Sequence, residues 1–207
     1  MKILNTLFLP VLLASLTVSQ AFAETDTEKD LLEYDVEVIL FEDAHARYKN
    51  SESWNFVNSS DGRLSNRKSN VASYQNINPQ ILRKEYNRLN SSSEYSILFY
   101  GAWRQTGLED SKSFEINIED LKNRHKVTSQ NSLSGSFKLV LSRYLHIYNT
   151  LRYQRQAMTA ETTNVETYPL NSHRRMRSKT LHYIDHPLVG MLIQINPVVK
   201  PKEEVAQ

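Results

Sequence analysis

The sequence predicts an α+β domain, a single domain of mainly antiparallel β-sheet with one or two packed helices. Two observations carry this. Stretches around 34–41, 95–105 and 137–147 alternate apolar and polar residues with the period of a strand, and only the stretch after Asn78 has the period of a helix. No internal repeat is evident.

Tyr34 to Phe41, YDVEVILF, begins with Tyr34, Val36, Val38 and Leu40 on one face and Asp35 and Glu37 on the other. Ile39 and Phe41 then make both faces apolar, the pattern of a strand entering the interior of a sheet. Glu42 to Asn78 is poor in apolar residues, with single aromatics at Tyr48, Trp54, Phe56 and Tyr74. It reads as a long surface excursion anchored by Trp54, or as an exposed aromatic platform for sugar rings. Asn78 as N-cap and Pro79 in the first helical position predict a helix of about three turns that ends at Asn90. Ile81, Leu82, Tyr86 and Leu89 share its apolar face, and Arg83, Lys84, Asn87 and Arg88 lie opposite.

Tyr95 to Gln105 is a second strand, with Tyr95, Ile97, Phe99 and Trp103 on one face and Ser96, Leu98, Tyr100 and Ala102 on the other. Gly101 inside it predicts a bulge or a close backbone approach. Ser113 to Ile118 is a weaker strand and Asn131 to Gly135 a turn. A long strand follows, with Phe137, Leu139, Leu141, Leu145 and Ile147 on one face and Lys138, Ser142, Tyr144 and His146 opposite, running on through Leu151 and Tyr153. Arg143 shares the apolar face and calls for a buried carboxylate, from Glu37, Asp35 or Asp185. Gln154 to Leu170 reads as a polar excursion. His173 to Lys179, if extended, projects Arg175, Arg177 and Lys179 from one side. Leu188 to Ile195, bounded by Pro187 and Pro197, is a short buried strand, and the polar residues before it fall at a strand end or tight turn.

The chain of 207 residues starts with the marks of an export signal. Lys2 supplies the positive start, Ile3 to Val18 the apolar core, and Ala21-Phe22-Ala23 a small-x-small site with cleavage after Ala23. The expected division is signal peptide 1–23, a frayed lead-in 24–33, one domain over 34–197 and a disordered tail 198–207. The apolar core of the signal is too short for a secure membrane span, and no later stretch is apolar enough. There is no cysteine, which excludes a disulfide framework, a lipoprotein anchor, thiolate zinc sites and a cysteine nucleophile. The formal charge of +2 falls by one when Lys2 is removed, so no global electrostatic case for nucleic acid exists.

Leu181 to Pro187, LHYIDHP, is the densest cluster of chemistry-bearing residues. His182, Asp185 and His186, with His146 as a distant partner, are the metal or catalytic candidates. In an extended chain the two close histidines lie roughly 13 Å apart at about 3.3 Å per residue, and Pro187 disfavours a helix that would join them. The alternative is a hydrogen-bonded turn in which Asp185 accepts nearby backbone donors. The basic run Arg174, Arg175, Arg177 and Lys179 suits an anionic partner or a charged edge. No Gly-x-Ser-x-Gly or Ser-x-x-Lys element marks a nucleophile, and no pair of carboxylates stands out.

The ordered set YDVEVILFE, YGAWRQ, RYLHIY and RRMRSKTLHYIDHPLVGMLIQINP resembles the CsiV family of periplasmic peptidoglycan-binding proteins. The resemblance spans the chain beyond the signal and is most specific in its C-terminal block. It implies a non-catalytic wall-associated protein that supports peptidoglycan synthesis and cell shape, with a bifunctional penicillin-binding synthase and its outer-membrane lipoprotein activator as partners. It implies no cofactor and carries no catalytic residues over. For the binding surface, residue type and local pattern point to Trp103, Arg104, Arg175, Arg177, His182 and His186, with aromatics on sugar faces and arginines on stem-peptide carboxylates. The competing reading is a metal-dependent envelope hydrolase built on His146, His182, Asp185 and His186.

Overall fold

The structure, a computed structural model, describes residues 31–43, 74–122, 127–158 and 163–199. The expected signal segment, most of the expected lead-in and the expected tail from residue 200 lie outside these, as does the 44–73 part of the excursion with Tyr48, Trp54 and Phe56.

Three layers follow from the predicted alternation. The first sheet holds β2 (Tyr74–Ile77), β3 (Tyr95–Thr106), β1 (Glu33–Asp43), β9 (Val189–Pro197) and β8 (His182–Ile184), in that spatial order. The second sheet is a meander of β4 (Glu115–Asn117), β5 (Ser132–Leu141), β6 (Leu145–Met158) and β7 (Thr163–Met176). Every neighbouring pair is antiparallel. Tyr34, Val36, Val38 and Leu40 of β1 enter the core between the sheets with Trp103, Phe137, Leu139, Ile147, Leu151 and Ile193. Ile39 and Phe41 turn the other way, under α1 (Arg83–Asn90), where they meet Leu82, Tyr86 and Tyr100. Each such side chain contributes roughly 1.5–3 kcal/mol by leaving water, so covering both faces of β1 makes it the central strand.

Glu37 departs from the predicted pattern in an instructive way. It stands on the face that also carries Asp35, yet it is only 1% exposed. Its carboxylate accepts the backbone N–H groups of Gln80, Ile81 and Leu82 at 3.0, 2.8 and 2.7 Å and the Tyr100 hydroxyl at 2.6 Å. The helix therefore begins later than predicted. Leu82 holds the N-cap position with no side-chain cap, and the turn leading into α1 is fastened by an acid from a distant strand. A second buried acid, Glu42, ties the two sheets together: it accepts from Ser129, from Asn131 and from the Tyr153 hydroxyl on β6.

Several predicted details are corrected or decided between alternatives. The bulge in β3 falls at Leu98, since Leu40 faces Phe99 while Phe41 faces Ile97. Ile97 therefore joins the core under α1 while Phe99 joins the core between the sheets. Gly101 serves close approach instead, because the Phe99 ring lies over it and a Cβ there would stand 2.5 Å from the ring. Asn131 to Gly135 is mostly strand, with Gly135 at φ +116° inside β5.

The long strand after it breaks at Ser142, Arg143 and Tyr144, a tight turn that leaves Arg143 exposed and in no need of a buried acid. The polar stretch 154–170 continues β6 and β7 as one hairpin; near its tip, an Arg155–Glu166 ion pair at 2.6 Å with Tyr168 takes the place of apolar cross-strand pairs. Just past β9, the Val198 N–H bonds the Glu33 carbonyl at the start of β1.

Candidate functional site

Alternation that sends Phe137, Leu139, Ile147, Leu151, Leu170 and Met176 inward leaves the opposite face of the second sheet open. Register then decides what meets there. His146 lies opposite Arg175, and Tyr148 lies between Lys138 on β5 and His173 on β7. The Tyr148 and His173 rings stack with centroids 4.1 Å apart and planes 3° from parallel. His173 continues the stack onto His146 at 5.1 Å, and His146 Nδ1 hydrogen-bonds His173 Nε2 at 2.9 Å. In the adjoining turn Tyr144 is 44% exposed, with the Arg175 guanidinium 4.7 Å over its ring and that of Arg143 at 5.6 Å.

On the far side of Tyr148 a cleft of about 320 Å³ is lined by Asp110, Glu115, Ser136, Lys138 and Thr150. Lys138 bridges to Asp110 at 2.7 Å, and Ser136 donates to Glu115 at 3.0 Å. One open face thus combines ring faces, two exposed guanidiniums and a polar hollow of ligand size. Rings accept the C–H face of a sugar, and guanidinium forks suit carboxylates.

The six residues expected at the binding surface do not come together. Trp103 is fully buried against Phe137 and donates its indole N–H to Gln105, so it is closed to any ligand. The Arg104 fork is already occupied by Asp35, bidentate at 2.7 and 2.9 Å, and this partner raises its pKa. His182 Nε2 accepts the Arg177 backbone N–H at 3.0 Å, which fastens the crossover from β7 to β8 and leaves the Arg177 side chain exposed there. His186 sits in the turn between β8 and β9, where Nδ1 accepts the Leu188 N–H at 3.3 Å. Of the six, Arg175 alone belongs to the open face. Tyr144, Tyr148, His173 and Lys138 were missed as a group because their proximity depends on how β5, β6 and β7 pair.

The hydrolase alternative fares no better. His146 is engaged with His173 on the second sheet, His182 with the crossover, and Asp185 accepts the Tyr183 hydroxyl at 2.7 Å. Among the described residues, no three His, Asp or Glu side chains converge as a metal site would need. No described helix is long and apolar enough to cross a membrane.

Comparison with known proteins supplies what the geometry leaves open. The family described as "Peptidoglycan-binding protein, CsiV" matches residues 56–198. The chain belongs to the CsiV family. The match takes in β2 through β9 and the whole open face of the second sheet, but starts after the YDVEVILFE block, so the family signal covers less of the chain than the sequence resemblance suggested. No curated protein and no solved structure matches the chain.

His186 makes the stability of this region depend on pH. Burial holds the His186 pKa below its usual value, opposed by the Asp185 charge. A depressed folded pKa gives stability that is present above the unfolded value near 6.5 and is lost as pH falls through the folded one. The melting temperature of the wild type is therefore expected to drop more between pH 7.5 and pH 5 than that of His186→Gln. Parallel pH profiles would remove His186 from the acid response.

Proposed function

We propose that this chain is a periplasmic protein that binds peptidoglycan through the outer face of its second sheet. In this reading residues 1–23 direct export and are removed after Ala23. The observation that carries the assignment is the continuous stack Tyr148–His173–His146 beside the Arg175–Tyr144–Arg143 cluster, within the stretch that matches a peptidoglycan-binding family. Sugar rings lie on the stacked aromatics, and stem-peptide carboxylates meet Arg143 and Arg175. The protein takes no catalytic part; it supports wall synthesis and cell shape alongside a penicillin-binding synthase and its outer-membrane lipoprotein activator.

The test is co-sedimentation of the protein, purified from the periplasm, with isolated sacculi across a salt series. Pelleting is expected to be saturable and to weaken with salt. Arg143→Ala combined with Arg175→Ala should reduce affinity about five- to tenfold and flatten the salt dependence, while the melting temperature stays near wild type because both side chains are exposed. Pelleting unchanged by the pair, or by Tyr148→Ala, would move the site off this face.

A further inference from the structure

A small cleft lies where the two sheets part at the β7 edge. The turn after β8 brings Asp185 and His186 over it, with Leu40, Leu151, Leu170 and Met191 among the residues that form its floor. Asn171 and Ser172 of β7 complete the rim. The interior volume is about 50 Å³, room for roughly three or four water-sized groups and too little for a sugar ring. An apolar floor this narrow takes an unbranched aliphatic chain.

The rim decides what that chain must end in. Among the described residues of the lining Asp185 is the only carboxylate, and none is a lysine or arginine that would neutralise it. Its Oδ1 accepts the Tyr183 hydroxyl, whose pKa is pushed up to about 12, so the partner is a neutral phenol and the negative charge stays at the mouth. Ser172 Oγ donates to the buried Asn149 Oδ1, and Asn149 Nδ2 donates to the Leu170 carbonyl. These two bonds fix the β7 wall of the cleft. His186, kept below its usual pKa by burial, adds no fixed positive charge at neutral pH. Short apolar depth under a lone carboxylate is complementary to an aliphatic ammonium and repels an aliphatic carboxylate.

We propose that this cleft binds the end of an aliphatic primary amine, with three or four methylenes between Leu151, Leu170 and Met191 and the ammonium on Asp185. The proposal deepens the wall-binding reading in one respect only, the source of the amine. The cleft opens at the edge of β7, the strand whose outer face carries His173 and Arg175. A glycan lying on that face has its peptides within reach of this edge, and the free amino end of a diamino acid in an uncrosslinked stem peptide has the required chemistry.

The experiment uses the ¹⁵N-labelled protein purified from the periplasm and three probes of equal length: n-butylamine, n-butanol and butyrate. Butylamine is expected to shift the backbone signals of Ile184, Asp185, Leu170 and Ser172 saturably, and butyrate to leave them in place. Butanol should bind at least fivefold more weakly than butylamine. Asp185→Asn, which keeps an oxygen for Tyr183, should reduce butylamine affinity at least fivefold with the spectrum otherwise intact. Leu170→Phe, which fills the floor, should abolish binding of butylamine and butanol alike.

Absent shifts with butylamine, or equal affinity for butylamine and butanol, overturns the proposal. So does an Asp185→Asn variant that binds butylamine as the wild type does. Sacculus pelleting of the same variants separates the two readings. Amine binding lost with pelleting retained leaves the sheet face as the wall site. Amine binding intact in a protein that does not pellet sinks the wall reading alone.

Discussion

Glu37→Ala is expected to destabilise the domain by about 3–5 kcal/mol, enough to leave much of the chain unfolded at 37 °C. The reason is the number of groups that depend on one carboxylate. Three backbone N–H groups and the Tyr100 hydroxyl would lose their acceptor inside a site where Glu37 is 1% exposed, and each unsatisfied donor costs about 1–3 kcal/mol. Glu37→Gln is expected to cost less but still more than 1 kcal/mol, because its amide NH₂ faces N–H donors where the second carboxylate oxygen accepted them. Tyr100→Phe removes a single donor and should cost about 1 kcal/mol. Urea unfolding followed by far-UV circular dichroism gives all three. Glu37→Ala within 1 kcal/mol of wild type would mean that the turn before α1 contributes little to the fold.

The second large effect is expected at Gly135. Its φ of +116° is a conformation that side-chain-bearing residues rarely adopt. A Cβ there would also stand 2.1 Å from the Thr150 carbonyl oxygen and 2.9 Å from the Leu151 Cα, which are backbone atoms of the paired strand. Gly135→Ala therefore forces β5 away from β6, and a loss of about 3 kcal/mol or more is expected. Gly190→Ala is the comparison: its close neighbour is the Phe41 ring, a side chain that can rotate away. The prediction is a clearly larger drop in melting temperature for the Gly135 variant. Equal drops would show that the backbone contact can relax.

The fold was legible wherever burial acts on one strand at a time. Tyr34 to Phe41 and Tyr95 to Gln105 declare themselves by alternation, Leu188 to Ile195 by its apolar run between two prolines, and each coincides with a strand. What failed was anything fixed by a partner distant in sequence. Nothing around Asn78 reveals that Glu37, more than 40 residues earlier, will hold the turn before α1. Trp103 suits a sugar face by residue type, yet its position across from Val36 in the central sheet sends it inward.

For the candidate site, the outward face of β6 was readable from the alternation through His146. The contribution of β7 was not, because Gln154 to Leu170 looked like a loop and the hairpin that brings His173 onto Tyr148 was therefore invisible. The turn at Ser142 to Tyr144 lacks glycine and proline, the residues that would have announced it.

The pairing of β1 with β9 has a consequence for the order in which the molecule assembles. Val38 lies against Ile193, so the middle of the first sheet joins residues from opposite ends of the domain. Closing so long a loop is entropically costly and slow, and the central strand stays open on one side until the last strand has been delivered. β1 can pair early with β3 on one side, but its other side is covered only when the last strand arrives, so the first sheet is completed at the end of folding rather than the start.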